Sequence, residues 1–268
     1  MAGTSRGRTG RALVTKVTFG PTGAQTSRRM PDELIVEEPM SIRLDGTLVS
    51  TTMRTPGHDF ELAAGFCFTE GMLGGVPVSG VRYCADGSAV ESEFNVVTVE
   101  TGGRAPTPTP RLGNTSSSCG ICGTEQLADL ATRLAPLPPT EPFDLALLHS
   151  IPDLVASDQR LFATTGASHA AAAFDRDGGV VVIREDVGRH NAVDKVVGWM
   201  VLQGRTGDGL GLYISGRASI EMVQKAWSAG FSTLVSVSAP TALAVEAARR
   251  ANLTLAGFHR PDGFNLYT

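Results

Sequence analysis

The stretch Val180-Val-Val-Ile-Arg-Glu-Asp-Val-Gly-Arg-His-Asn-Ala-Val-Asp-Lys195 decides the fold. A β-branched run ends in two acids and a glycine, and the residues after it take helical spacing, so a strand hands over to a helix. The same exchange repeats downstream. The pattern predicts a helix over 189–203, a strand over 210–215, a helix over 217–230, a strand over 233–238, a helix over 240–251 and a strand over 253–258. Upstream, a helix near Pro152–Phe162 leads to a strand at Ala170–Phe174, and Asp175–Gly179 turns the chain into Val180–Arg184. Such alternation predicts an α/β layer around a mostly parallel central sheet.

The first half reads differently. Residues 1–31 carry six basic residues and no acid, are rich in Gly, Thr and Ser, and show no periodicity. They are expected to form a disordered basic tail, either simply solvated or a docking arm for an acidic partner. Residues 32–112 read as a small α+β domain. Within it, Asp45-Gly46 marks a hairpin between Ile42–Leu44 and Thr47–Val49. Pro56-Gly57 then breaks the chain before a helix from His58 to Glu70, with Cys67 on its apolar face and Gly71 as a left-handed stop. Residues 89–99 alternate as strands do. Thr101–Ser118 has almost nothing apolar to bury, and residues 113–123 are expected to be a mobile cysteine loop. A helix at about Thr124–Leu134 opens the larger unit, 124–268, and Pro136, Pro138 and Pro139 break the chain after it.

The 268 residues are enough for a buried core, and 42% hydrophobic against 19% charged residues exclude a disordered chain. No apolar run reaches the roughly 18 residues of a membrane span, and no apolar stretch of signal-peptide type opens the chain. Four cysteines make no disulfide scaffold, which points to a reducing, cytoplasmic setting. Beyond residue 31 the chain holds 17 basic and 27 acidic residues, a poor balance for nucleic-acid binding.

Cys119-Gly-Ile-Cys122 is the sharpest chemical signal. Zinc needs four ligands and finds no second pair, and an iron–sulfur cluster lacks thiolates for the same reason. A thioredoxin-like pair follows a strand directly, whereas a long Ser/Thr/Pro loop precedes this one. A zinc base deaminase pairs H-x-E with P-C-x-x-C, but no histidine here has Glu two residues on, and Ser118 precedes the pair. There remains nucleophilic sulfur chemistry: a thiolate near a helix start, left open by glycines, that accepts a sulfane sulfur as a persulfide and passes it on. The spacing alone does not separate this from redox work, and a pair of unreactive loop thiols is the remaining possibility.

The predicted strand ends are polar. Glu185–Lys195 carries more polar side chains than helix capping requires, Ser215-Gly-Arg217-Ala-Ser219 pairs small residues with a cation, and Ser238–Thr241 and His259-Arg260-Pro261-Asp262-Gly263-Phe264 follow later strands. Thr165–His169 precedes a strand, so it lies either on the opposite edge or folded over this one. Carboxyl-end loops define the ligand crevice of open α/β sheets, and Arg, His, Ser and Gly suit an anionic, nucleotide-like ligand. No Walker loop or G-x-G-x-x-G is present.

Taken in order, Ser-Ser-Ser-Cys119-Gly-Ile-Cys122-Gly, Thr-Gly-Ala-Ser-His169-Ala, Glu185 to Lys195, and Ser-Gly-Arg-Ala-Ser219 resemble the FdhD family of formate dehydrogenase accessory sulfurtransferases over about residues 32–268. Met53-Arg-Thr-Pro56, Gly65-Phe, Glu70-Gly71, Ala-Pro-Thr241 and the terminal Gly-Phe-His-Arg…Tyr-Thr268 are similar as well. The resemblance implies a cytidine-deaminase-like three-layer C-terminal domain without the zinc. It implies a sulfur carrier that receives sulfur from a cysteine desulfurase as a persulfide on Cys119, with Cys122 assisting. The recipient would be the molybdenum of a bis(molybdopterin guanine dinucleotide) cofactor bound as substrate, for delivery to the formate dehydrogenase catalytic subunit. It further implies a homodimer and cofactor contacts at His259, Arg260, Pro261, Asp262, Gly263 and Phe264. Joined to the residue-level reading, Arg217 and Ser219 complete the nucleotide crevice. The other function class is a non-catalytic cofactor chaperone whose cysteine pair is a redox latch.

Overall fold

In the computed structural model of the chain, residues 7–84, 89–90, 92–109 and 123–268 are described. β1 (Thr9–Phe19) and β2 (Gln25–Ile35) pair antiparallel over their whole length as a two-stranded ribbon. The expectation of a disordered tail over 1–31 is therefore corrected for residues 9–31, residues 1–6 lying outside the described residues. β-Branched Val14, Thr15, Val17 and Thr18 favour an extended β1, and Gly20-Pro21-Thr22-Gly23 supplies the turn, closed by Gly20 N–H donating to Ala24 O at 2.8 Å. The ribbon escapes a search for apolar periodicity because it buries almost nothing.

β3 (Glu38–Leu44) and β4 (Thr47–Arg54) form the expected hairpin, with Asp45 and Gly46 at φ 45° and 86° in a primed turn. Next come α1 (Asp59–Thr69), β5 (Gly80–Tyr83) and β6 (Val96–Glu100), and the sheet order is β4-β3-β6-β5. Of the predicted strand over 89–99 only its end is extended, because Glu93 and Phe94 take positive φ in a turn. Met40, Ile42, Leu44, Val49, Val97 and Val99 face Leu62, Ala63 and Cys67 of α1. Cys67 is fully buried, and burial followed by the nearby Asp194 carboxylate pushes its thiol up to about 12, so it is a core residue, as expected. Gly71, at φ 74°, closes α1: its N–H donates to Phe68 O, and Met72 N–H reaches back to Cys67 O.

The larger unit contains α2 (Gly123–Arg133), α3 (Leu145–Ala156), α4 (Arg160–Thr165), β7 (His169–Phe174), β8 (Val180–Asp186), α5 (Arg189–Leu202), β9 (Gly211–Ile214), α6 (Ile220–Ala229), β10 (Thr233–Ser236), α7 (Ala242–Ala251), β11 (Thr254–Arg260) and β12 (Gly263–Leu266). The single helix expected near 152–162 is two helices. Pro152 sits inside α3 rather than at a helix start, and the break falls at Ser157–Gln159. The sheet order is β12-β11-β10-β9-β7-β8. β9, β10 and β11 run parallel, while β7 is antiparallel to both its neighbours and β12 to β11. The sheet is mixed rather than mostly parallel, because the Asp175–Gly179 turn makes β7 and β8 a hairpin and β7 then inserts between β8 and β9. Asp175 fixes that turn by accepting from Asp177 N–H and Gly179 N–H. The result is a mixed α/β fold.

Both sheet faces are covered. Ala171, Ala173, Leu212, Ile214, Leu234 and Leu255 pack under α2, α5, α6 and α7, while Ala170, Ala172, Phe174, Tyr213 and Val235 meet Phe143 and α3. α5 is buried along most of its length because α1 covers its outer side. At that crossing Gly65 faces Gly198. A Cβ on Gly65 would overlap the carbonyl oxygen of Asp194, and one on Gly198 would overlap that of Glu61. Only glycine lets the two backbones come this close.

Gly65→Ala and Gly198→Ala are each expected to destabilise the chain by about 1–3 kcal/mol or more through overpacking against backbone. Urea unfolding followed by circular dichroism measures it, and an unchanged midpoint for either variant would refute the crossing.

Candidate functional site

β8, β9, β10 and β11 all point toward one edge of the sheet, and the reversed β7 brings its start, His169, to the same edge. Thr165–His169 therefore joins the crevice rather than lying opposite it. His169 Nδ1 lies 3.3 Å from Ser215 Oγ, which also accepts from Ala170 N–H at 2.9 Å. Gly216 O accepts from Ser236 Oγ at 2.8 Å, and Ala218 O accepts from Thr241 N–H at 3.0 Å. Phe258 N–H donates to Ser238 O and His259 N–H to Val237 O, both at 3.1 Å. The segments after β9, β10 and β11 thus run side by side.

Beside them a cleft of about 510 Å³ opens between the sheet edge and α3–α4. Its walls include Phe162, Gln159, Ser168, His169, Tyr213 and Ser215. Phe162 is 48% exposed at the rim, an aromatic face open to a flat ligand. Across Ser215, the next residue is Gly216, where a Cβ would touch Arg189 Cδ at 3.4 Å and His169 Cε1 at 3.6 Å. The Arg189 Nε is buried without a hydrogen-bond partner among the described residues. A cation, an imidazole, a hydroxyl and a bare backbone position thus face one small space, an arrangement that fits an oxyanion. Phe162, Gln159 and Tyr213 carried no sequence signal, since an exposed aromatic between two short helices matches no motif. Arg189 lies in the polar stretch after β8, but nothing there separates it from its neighbours.

The residues expected to contact the cofactor are placed unevenly. Arg217 is exposed beside the crevice, and Ser219 precedes α6, its hydroxyl making no capping bond. α6 begins at Ile220, three residues later than its pattern indicates. The segment 259–264 is a hairpin, not a trailing loop. Arg260 stacks its guanidinium over Phe258 at 4.0 Å, and Pro261 and Asp262 are exposed at the turn. His259 points inward: its Nδ1 lies 3.0 Å from Ser236 O and its Nε2 3.2 Å from Leu148 O, with Phe264 stacked on it at 4.9 Å. Leu148 O is the acceptor that Pro152, lacking an N–H, leaves open one turn on. With its proton on Nε2, His259 donates into that gap and pins α3 to the sheet edge.

The polar stretch 185–195 is mostly spent inside the protein. Glu185 accepts from Leu161 N–H, Phe162 N–H and Ser168 Oγ, which holds the first turn of α4 and the loop before β7. Asp186, fully buried, accepts from Thr55 N–H, Gly188 N–H and Asn191 Nδ2, and pairs with Lys195 Nζ at 2.6 Å. Asn191 also donates to Met53 O and Lys195 to Thr55 O. This network seams the small unit to the large one. Beneath the α1–α5 crossing, Lys225 Nζ lies 2.8 Å and 3.0 Å from the two Asp194 oxygens, 3.2 Å from Glu70 and 2.9 Å from Thr69 Oγ1. Burial opposes its charge, but two carboxylates hold it protonated. Next to this cluster, burial and then the positive charges of Lys225 and Arg189 push His190 down to about 4.

Cys119 and Cys122 lie outside the described residues, as does nearly all of the cysteine loop. α2 starts at Gly123, directly after Cys122, and its Leu127 and Leu130 anchor it in the main core. Among the described residues, no helix is long and apolar enough to cross a membrane.

A model of the FdhD/NarQ family matches residues 35–268. The sulfur carrier protein FdhD of Mycolicibacterium paratuberculosis is 44% identical over 268 residues, covering 97% of this chain and 97% of that protein. Its counterpart in Streptomyces avermitilis is 46% identical over 260 residues, covering 91% and 89%. A solved structure described as a formate dehydrogenase accessory protein, from Desulfotalea psychrophila, shares the fold with a TM-score of 0.75 at 24% identity, covering 96% of this chain and 97% of that one.

The depressed His190 has a pH signature. Between its ordinary 6.5 and about 4 the unfolded chain binds a proton at this ring that the folded chain does not, so stability is full above that window and falls as pH drops through it. His169, lowered by burial and by Arg189, acts in the same direction. Glu61, whose burial is outweighed by Arg184 and His58, loses its contribution only below its ordinary 4.5. Urea midpoints from pH 7.5 to 5 are expected to fall for the wild type and to fall less for His190→Gln, and equal slopes would contradict the assignment.

Proposed function

The chain belongs to the FdhD/NarQ family, and from that premise we propose that it is a sulfur carrier serving formate dehydrogenase. The observation that carries the reading is the 44% identity to a sulfur carrier protein over nearly the whole of both chains. Cys119 receives a sulfane sulfur from a cysteine desulfurase and holds it as a persulfide. The cargo site is the crevice at the carboxyl edge, where one guanine dinucleotide arm of the molybdenum cofactor binds as substrate. The oxyanion space at Arg189, His169, Ser215 and Gly216 supports this, with Phe162 as a stacking face. Arg217 and the exposed residues Arg260–Asp262 flank the same edge and reach the outer parts of the ligand, with Ser219, its hydroxyl buried, behind them. His259 serves by fixing this edge. The C-terminal unit, on this reading, is a deaminase-like scaffold put to another use. The protein acts in the cytoplasm, as a homodimer, and hands the loaded cofactor to the formate dehydrogenase catalytic subunit.

The sulfur step balances on the cysteine pair. The terminal sulfur of a persulfide is at the oxidation level of elemental sulfur and must arrive at the metal as sulfide. Cys122 thiolate attacks the Cys119 sulfur, a Cys119–Cys122 disulfide forms, and the terminal sulfur leaves as sulfide carrying the two electrons. The sulfide replaces a metal oxo group, which leaves as water with two protons. A two-electron thiol donor then restores the pair.

In cells lacking the native protein, Cys119→Ala is expected to restore no formate dehydrogenase activity while still binding guanosine diphosphate. His169→Ala and Arg189→Ala are expected to weaken that nucleotide by roughly 10-fold or more each, the value of one charge-assisted hydrogen bond. Activity restored by Cys119→Ala would overturn the carrier role, and nucleotide affinity indifferent to both edge variants would overturn the site.

A further inference from the structure

The β1–β2 ribbon is not used by the carrier reading, and all but its last residue lie outside the stretch matched to the family. Its base is fastened. Val36 N–H donates to Arg8 O at 3.0 Å, Arg8 Nη2 donates to Glu185 O at 3.1 Å, and β2 packs on α4. Its outer half is bare: residues 15–19 and 25–29 are all exposed. A two-stranded ribbon with both edges unpaired is marginal in water by itself.

The two faces of the outer half differ. On one, Lys16 stands directly opposite Arg28, and Thr18 Oγ1 meets Thr26 Oγ1 at 2.7 Å. Like charges in register across two strands destabilise the ribbon. Lys16, Thr18, Thr26, Ser27 and Arg28 line a depression of about 520 Å³, and the side chains of Lys16, Arg28, Thr18 and Thr26 stand on this face, so two cations and two hydroxyls share it. On the other face Leu13, Val17 and Phe19 are 60%, 44% and 74% exposed, beside Arg29. Arg11 pairs with Glu33 at 3.4 Å, and the only other acid of the ribbon is Asp32 near its base.

We propose that the β1–β2 ribbon is a docking arm that inserts into an acidic groove of a partner protein, with Lys16 and Arg28 gripping carboxylates of one wall and Leu13, Val17 and Phe19 seated on an apolar patch of the opposite wall. Carboxylates between Lys16 and Arg28 relieve the repulsion that the free ribbon carries. A small anion satisfies the cations but leaves the apolar face bare, so a protein surface is the occupant that uses both faces. Because β2 packs on α4 and Phe162 of α4 lines the crevice, the docked partner sits within reach of the cleft wall.

The proposal uses the two partners of the carrier reading as probes and is tested separately from it. Binding of the full chain to a cysteine desulfurase and to the formate dehydrogenase catalytic subunit is measured by titration calorimetry at low and high salt. One of them is expected to bind with an affinity that salt weakens, that Lys16→Glu/Arg28→Glu weakens at least 10-fold, and that Phe19→Ser weakens as well, while the thermal midpoint is unchanged. Loading of Cys119 from inorganic polysulfide needs no partner and is expected to be equal in all variants. Its failure in every variant would count against the carrier reading and not against the arm. Binding by neither probe, or binding indifferent to salt and to both variants, overturns the arm. So does a loss of self-association in the variants without loss of probe binding, which would assign the ribbon to a second copy of the chain.

Discussion

The close crossing of α1 and α5 at Gly65 and Gly198 is the constraint on which the rest of the structure depends. It brings two hydrophobic cores together, one under the four-stranded sheet and one under the six-stranded sheet, with Phe68 of α1 packed against both. The approach buries Asp194 and draws Lys225, Thr69 and Glu70 around it. A buried pair of this kind is weak evidence for net stability, but removing one partner is costly because the other charge is stranded. Its clearer consequence is specificity of register. α5 has no freedom to slide or turn against α1 while Asp194 and Lys225 are paired beneath the glycines. Since α5 begins three residues after β8 ends, the same constraint sets the position of Arg189 at the crevice.

The crevice walls are held by side chains that repair backbone defects. Pro152 leaves Leu148 O without its helical donor, and His259 comes from β11 to meet it. Glu185 leaves the end of β8 to accept the first free N–H groups of α4. Each repair ties a helix of the cleft wall to a strand of the sheet edge. The cleft walls are thereby held by the protein's own bonds, so binding there does not have to order them.

Much of the architecture was legible. The helices at 189–202 and 242–251, the strands at 169–174 and 233–236, and the Asp45-Gly46 hairpin follow from apolar periodicity and turn chemistry alone. The crevice edge was legible too, because polar residues collect where strands end. What escaped did so for physical reasons. The ribbon has no buried face to give it a period. Strand direction is set by the short turn at Asp175–Gly179, whose hairpin geometry outweighs the βα alternation on either side. His259 sits in a polar-looking segment, yet β11 continues through it, and the two-residue period of a strand turns it inward. The stretch 185–195 is dense in charge because it seams two units, a demand that leaves the same sequence trace as a ligand site.

The central claim is that sulfur travels on Cys119. Intact-protein mass spectrometry without reductant, after incubation with a cysteine desulfurase and cysteine, tests it most directly. The account predicts one or more added sulfur atoms on the wild type, removed by dithiothreitol, and none on Cys119→Ala. Added sulfur on the variant, or none on the wild type, would contradict it.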